Sequence, residues 1–163
     1  MGSKTDYSNA VCGAIECSRS VYMIEQVGNM WYSCCDYVAV TTNNQIKRNG
    51  CLVMGAGVAK QAALRFPELP RLLAEHVSKN GNVPAVFDKM GIVTFPTKYN
   101  WRNPSDIELI RESAQTLVNI IPADKTVAMS RPGCGNGNLE WSDVKTILEP
   151  ILDDRFIIYS LKP

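Results

Sequence analysis

The stretch MGAGVAKQ, from Met54 to Gln61, places two glycines one residue apart directly before a run of residues that favour a helix. Glycine has no Cβ, so its backbone can adopt positive φ and come close to a ligand. Successive amides can then point into one concavity, and the following helix adds the partial positive charge of its N-terminus. The stretch therefore predicts either a tight turn or a seat for a phosphate group.

This stretch does not match the familiar nucleotide-binding motifs. In GAGVAK, Lys60 stands where the dinucleotide-binding motif GxGxxG has its third glycine. Gly50 and Gly55 have the spacing of the phosphate-loop motif GxxxxGK[ST], but Ala56 follows where that motif has lysine. The sequence therefore supports neither a Rossmann dehydrogenase nor a phosphate-loop NTPase.

A second glycine-rich segment, RPGCGNGN, runs from Arg131 to Asn138 and directly follows the apolar run KTVAMS. We interpret KTVAMS as a strand, so this loop also lies where a strand meets the next helix. Ligands of open α/β sheets bind in the crevice beyond the carboxyl ends of the strands. Two glycine-rich loops in that position favour one shared site for a diphosphate over two unrelated turns.

Strand-like and helix-like segments alternate along the chain. The run CDYVAVTTN (35–43) is β-branched and apolar on both faces, which is typical of a central strand. Further strands are predicted over residues 21–27, 83–87, 91–97, 125–130 and 155–161, and helices over 58–66, 68–79, 105–121 and 142–154. The alternation predicts a single α/β domain over residues 21–163, with a parallel or mixed sheet covered on both faces. Residues 1–20 are polar and aperiodic, and we expect them to form a loose N-terminal segment.

Two of these helices carry capping signals at their predicted starts. SDIE places Ser105 three residues before Glu108, the pattern of a capping box. Ser142 stands in the same way before the last helix. We therefore expect the two serines to be the N-caps of these helices.

Composition excludes several classes of function. The formal net charge is +1, so no global field attracts nucleic acid or membrane. No apolar run approaches the roughly 20 residues of a membrane span, and no secretory leader is visible, so we expect a cytoplasmic protein without a membrane partner. Without CxxC pairs and with one histidine, the six cysteines predict free, mostly buried thiols and no metal site.

Four blocks, in this order, resemble the macrodomain family: DYVAVTTN, NGCLVMGAGVAKQAALRFPEL, FPTKYNWRNPSDIELI and RPGCGNGNLEW. The resemblance extends over residues 21–161. Within that family the chain resembles the branch that contains terminal ADP-ribose glycohydrolase and the DarG antitoxin. This resemblance implies a three-layer α/β/α fold with a central mixed sheet, binding of ADP-ribose or an ADP-ribosylated substrate, and no cofactor. We expect the protein to be a monomer.

The resemblance also implies where ADP-ribose binds. The first loop would hold one side of the diphosphate, and the second loop the other side and the distal ribose; these residues are Met54, Gly55, Ala56, Gly57 and Val58, then Gly133, Cys134, Gly135, Asn136 and Gly137. Asn43 would lie near the distal ribose. Asn29, followed by Met30, stands where the family usually has an aspartate that accepts from the adenine amino group. A neutral acceptor bonds more weakly than a charged one, so we expect weaker anchoring of adenine.

Lys98, in the block FPTK, matches the lysine that this branch uses as its nucleophile. The implied reaction opens the distal ribose, and the amine attacks C1'' while the linked group leaves. The amine must be neutral, which requires burial or a cationic neighbour such as Arg102 or Arg131. Gly137 stands where the terminal glycohydrolase has an aspartate, so the acid/base role is unassigned; Glu140 and Asp143 lie nearby in sequence.

Three functions remain open at this point. The first is a hydrolase that removes ADP-ribose from a nucleic-acid base or a protein carboxylate. The second is a phosphatase for ADP-ribose-1''-phosphate, and the third is a reader that binds ADP-ribose or a related NAD-derived metabolite without turnover. Trp101 and Arg102 would suit a nucleic-acid-linked substrate at the rim, by stacking and phosphate pairing, but a solvated rim is the alternative.

Overall fold

The computed structural model of the chain describes residues 22–163. The predicted loose segment over residues 1–20, and the first residue of the first predicted strand, lie outside the described residues. Within the described residues, no helix is long and apolar enough to cross a membrane.

Six strands form one sheet in the described part of the chain. They are β1 (Ile24–Val27), β2 (Tyr37–Thr42), β3 (Val86–Phe87), β4 (Ile92–Pro96), β5 (Val127–Ser130) and β6 (Phe156–Ser160). Their order in the sheet is β1-β6-β5-β2-β4-β3. Only β3 runs antiparallel to its neighbour, and the other described neighbours are parallel. The predicted mixed sheet is confirmed, with β2 in its interior as the β-branched run indicated.

The helices cover both faces of this sheet. They are α1 (Gly57–Arg65), α2 (Leu69–Asn80), α3 (Ile107–Ile120) and α4 (Trp141–Leu148), and a short 3-10 turn spans Met30–Tyr32. Ile110 of α3 and Leu148 of α4 pack in one core cluster with Phe95 of β4. Ala62 of α1 and Leu73 of α2 pack in the other. The three-layer α/β/α fold is therefore confirmed.

The capping prediction for α3 is wrong by one residue. Asp106 has extended backbone, and its carboxylate accepts from the backbone N–H groups of Glu108 and Leu109 at 2.9 and 3.1 Å. Ser105 is instead fixed before the helix, since its N–H donates to Gly137 O at 2.9 Å. Asp106 is therefore the N-cap, and the hydroxyl of Ser105 has no capping role.

The last helix and the thiols also differ from expectation. Glu140, rather than Ser142, has the N-cap position of α4, and the helix ends at Leu148 because Pro150 has no N–H to continue it.

The four described cysteines are free, but Cys34 is exposed and the other three are half-buried. All four lie in loops rather than in the core, so the prediction of mostly buried thiols is wrong for these residues.

Candidate functional site

A cavity of ≈ 1060 Å³ opens at the carboxyl edge of the sheet. Each of the five parallel strands contributes to its lining where the strand ends, through Gly28, Thr42, Thr97, Ser130 and Ser160. This is the crevice in which open α/β sheets bind ligands, and its volume is slightly above the range of about 300–1,000 Å³ that is common for small-molecule sites. The cavity can therefore accept an extended ligand.

The first glycine-rich loop leads directly into α1 at the cavity wall. All five of its predicted binding residues, Met54 to Val58, line the cavity. Gly57 has φ +57°, and a Cβ there would lie 3.2 Å from Asn136 Nδ2, so glycine permits the close approach of the two loops. Ala56 provides no side-chain cap for α1, which leaves the first amides of that helix available to an anion.

The second glycine-rich loop is packed so tightly that two of its positions require glycine. A Cβ on Gly133, which has φ +77°, would lie 2.9 Å from Ile110 Cδ1. A Cβ on Gly137 would overlap Ser105 Oγ and lie 2.5 Å from the carbonyl oxygen of Gly133. An aspartate at position 137 therefore does not fit this loop, which gives a steric reason for the departure noted in the sequence.

Lys98 connects the end of β4 to the second loop. Its Nζ donates to Asn136 O at 3.2 Å and to Trp101 O at 3.3 Å, and the residue lines the cavity. Its backbone is held as well, because Asn82 Nδ2 donates to Lys98 O at 3.0 Å and Lys98 N donates to Thr42 O at 3.3 Å. The fold thus brings one amine to the loop that was predicted to hold the distal ribose.

Comparison with known proteins gives the family. No protein-family model matches the chain. The DNA ADP-ribosyl glycohydrolase of Mycobacterium tuberculosis is 31% identical over 129 residues, which cover 70% of this chain and 36% of that protein. The macrodomain of Thermus aquaticus DarG matches with a TM-score of 0.70 and 28% identity, over 86% of this chain and 98% of that one. The chain is a macrodomain, similar to those of DarG.

A third relative shows the fold alone. Thermosipho africanus DarTG, solved in complex with ADP-ribose, matches this macrodomain with a TM-score of 0.69 at 24% identity, over 86% of this chain and 43% of that one. The curated relatives are much longer proteins, since this chain spans 36% of the one from Mycobacterium tuberculosis and 31% of the one from Thermus aquaticus.

Asn29 and Asn43, two of the three asparagines predicted to bind ADP-ribose, both line the cavity of this macrodomain and both make structural hydrogen bonds. Asn29 Oδ1 accepts from Trp31 N at 2.9 Å and so caps the turn that contains buried Met30. Asn43 is buried, and its amide joins Val53 O to the backbone N–H of Gln45 at 3.0 and 2.9 Å. Asn43 thus braces the segment that leads to the first glycine-rich loop.

All three tryptophans of the chain line the cavity, and each carries an arginine on its ring. Arg65 lies 4.4 Å from the ring centroid of Trp31, Arg102 lies 4.9 Å from that of Trp101, and Arg131 lies 5.1 Å from that of Trp141. The sequence indicated Trp101 and Arg102 as possible rim residues but not their contact; Trp101 lines the cavity and Arg102 does not. The other two pairs join residues too distant in sequence for a pattern to link them.

Acidic residues are scarce around this cavity. Among the lining residues that the structure describes, Glu140 is the only one with a carboxylate side chain, and Asp143 does not line it. Glu140 also acts on Cys134 of the second loop: burial raises the pKa of that thiol to about 11, and the nearby carboxylate adds to the rise. Cys134 is therefore a protonated thiol at neutral pH and no thiolate nucleophile.

Metal ligands are not grouped anywhere in residues 22–163, because no set of three or more His, Cys, Asp or Glu side chains lies close enough together to hold an ion. The polar side chains available for chemistry in the described cavity are the amines of Lys98 and Lys162, the guanidinium of Arg131, the thiol of Cys134, the carboxylate of Glu140, and several hydroxyls and amides.

Proposed function

We propose that this macrodomain removes ADP-ribose from a nucleic-acid conjugate, with Lys98 as the nucleophile. The observation that carries the proposal is the position of Lys98 Nζ, which lies 3.2 Å from Asn136 O in the cavity that both glycine-rich loops line. Two findings on relatives support it. The curated relatives are named DNA ADP-ribosyl glycohydrolase, and the Thermosipho africanus protein was solved with ADP-ribose.

In this proposal the diphosphate lies between the two loops. The uncapped N-terminus of α1 offers its amides and partial positive charge, and Gly57 allows the second loop to approach within reach of the same ligand. The distal ribose then lies at the Lys98–Asn136 contact, and adenine lies at the opposite end near Asn29 and Tyr159, which also line the cavity.

The proposed reaction requires no cofactor. The neutral amine of Lys98 bonds to C1'' of the opened ribose, the bond from C1'' to the base breaks, and the base takes the proton that Nζ loses. Water then adds to C1'', Nζ leaves, and ADP-ribose is released. Glu140 is our candidate for moving these protons, because it is the one described acidic residue of the lining and is exposed to solvent.

The three tryptophan–arginine pairs support the nucleic-acid part of the proposal. Each of the three indoles lies at the wall of the cavity and can stack on a base, and Arg131 adds a cation for a phosphate there, whereas Arg65 and Arg102 contact their rings from outside the lining. Stacking of one base on an aromatic side chain is worth about 1–3 kcal/mol. With a net charge of only +1, attraction to nucleic acid has to come from such local groups.

The test is a turnover assay on three substrates: ADP-ribosylated DNA, ADP-ribosylated protein and ADP-ribose-1''-phosphate. Wild type is compared with Lys98→Ala and with Lys60→Ala, a matched control because Lys60 is exposed on α1 and does not line the cavity. We expect release of ADP-ribose from DNA, lost about a thousandfold or more in Lys98→Ala and retained in Lys60→Ala.

Two outcomes would replace this proposal with one of the alternatives. Turnover of ADP-ribose-1''-phosphate alone would identify a phosphatase. Binding of ADP-ribose by wild type and Lys98→Ala without turnover of any substrate would identify a reader, in which the lysine only joins Trp101 O to Asn136 O.

A further inference from the structure

The hydroxyl of Ser105 is buried in the wall of the cavity without a hydrogen-bond partner. The residue is 7% exposed, it lines the cavity, and its Oγ contacts no donor or acceptor in the described structure. A buried hydroxyl without a partner destabilises the folded state, so each one requires an explanation. A ligand that supplies the missing partner is such an explanation.

The backbone on both sides of Ser105 is fixed. Its own N–H donates to Gly137 O at 2.9 Å, and the next N–H, that of Asp106, donates to Thr97 O at 2.8 Å. Thr97 directly precedes Lys98, while Gly137 directly follows Asn136, whose carbonyl receives the lysine. Ser105 is therefore held between the two segments that meet at the Lys98 amine.

The second loop is shaped around this hydroxyl. Any side chain at position 137 would overlap Ser105 Oγ, and a Cβ on Gly133 would lie 3.2 Å from Ser105 Cβ. The serine thus occupies the space that a side chain from the loop would need. The polar group that this wall offers to a ligand is a neutral hydroxyl from residue 105.

We propose that Ser105 is a binding residue whose hydroxyl forms a hydrogen bond with the distal ribose of ADP-ribose, beside Lys98. The inference rests on the ADP-ribose binding of the proposed function and adds a residue to it. A hydroxyl both donates and accepts, as a sugar hydroxyl does. The diphosphate, in contrast, is provided for by the amides at the start of α1.

Ser113 supplies a matched control on α3. It is 1% exposed, and its hydroxyl donates to Pro96 O at 2.7 Å, but it does not line the cavity. Ser113→Ala removes a satisfied hydrogen bond and leaves a carbonyl without that partner, so it should lower stability and leave ligand affinity unchanged. Ser105→Ala removes an unsatisfied group, so it should not lower stability but should weaken ligand binding.

The experiment measures calorimetric affinity for ADP-ribose and for ADP, which lacks the distal ribose, together with denaturant unfolding of each variant. We expect Ser105→Ala to bind ADP-ribose about tenfold more weakly, to bind ADP as wild type does, and to unfold at no lower denaturant concentration. Unchanged affinity of Ser105→Ala for ADP-ribose would overturn the inference. An equal loss for ADP would overturn the assignment to the ribose, because the hydroxyl would then act on the diphosphate or on the loop.

These measurements test the role of Ser105 separately from the proposed hydrolysis. If wild type binds ADP-ribose and Ser105→Ala shows the expected loss, the inference is supported whether or not any conjugate is hydrolysed. If wild type hydrolyses a conjugate while Ser105→Ala binds ADP-ribose normally, the inference fails and the proposed function stands.

Discussion

At the scale of single residues, glycines that look alike in sequence differ in what they permit. Gly135 and Gly137 both belong to RPGCGNGN, yet a Cβ on Gly135 would have no neighbour within 4 Å, whereas one on Gly137 would meet Ser105 Oγ and the backbone of Gly133. A side chain at position 135 would therefore meet no clash within the protein, whereas packing requires glycine at position 137.

Gly137→Ala should consequently lower the free energy of unfolding by about 1–3 kcal/mol, because backbone of Gly133 cannot move aside as a flexible side chain can. It should also weaken binding of ADP-ribose, since the loop must shift. Denaturant unfolding and calorimetric titration measure the two effects. Gly135→Ala is the control and should unfold as wild type does; equal stability of both variants would contradict the steric account.

At the scale of elements, local sequence predicted where helices begin only to within a residue or two. Ser105 and Asp106 are both good capping residues, and Glu108 completes a capping box with the first of them. The structure uses Asp106, because Gly137 O receives the N–H of Ser105 and fixes that residue in the cavity wall. This contact spans more than thirty residues, so no local pattern contains it.

Asp106→Ala should lower the free energy of unfolding by about 1 kcal/mol, because the amides of Glu108 and Leu109 lose their shared acceptor. Asp106→Asn should keep most of the wild-type stability, because its amide oxygen can still accept from these N–H groups. Glu108→Ala should cost only a few tenths, since its contact with Arg111 is an exposed ion pair outside the cap. Denaturant unfolding measures the stability of all three variants. A larger loss of stability for Glu108→Ala than for Asp106→Ala would show that the capping box, and not Asp106, stabilises the start of α3.

At the scale of the whole molecule, the fold was predictable and the rim of the cavity was not. Alternating segments predict the α/β/α layers, and glycines predict both loops, because these signals lie within a few residues of one another. Trp31 and Arg65 lie on different elements, and so do Arg131 and Trp141; only the folded chain brings Trp31, Arg131 and Trp141 to one cavity and Arg65 against the ring of Trp31. Such distant pairs cannot be found from the spacing in one sequence.

Trp101→Ala tests whether this rim contacts the conjugated nucleic acid. We expect KM for ADP-ribosylated DNA to rise about tenfold, because one stacking face is lost, while affinity for free ADP-ribose stays unchanged. The substitution keeps the backbone carbonyl that accepts from Lys98, so the lysine contact is preserved. An equal loss for free ADP-ribose would place the ring against ADP-ribose itself instead of the nucleic acid.

The central claim is that the amine of Lys98 bonds to C1'' of the ribose. Borohydride reduction during turnover of ADP-ribosylated DNA, followed by peptide mass spectrometry, tests it most directly, because an imine between Nζ and C1'' becomes a stable amine. We expect the ADP-ribosyl adduct on the peptide that contains Lys98, and none in Lys98→Ala. Full turnover by Lys98→Ala, or an adduct on another residue in wild type, would contradict the assignment.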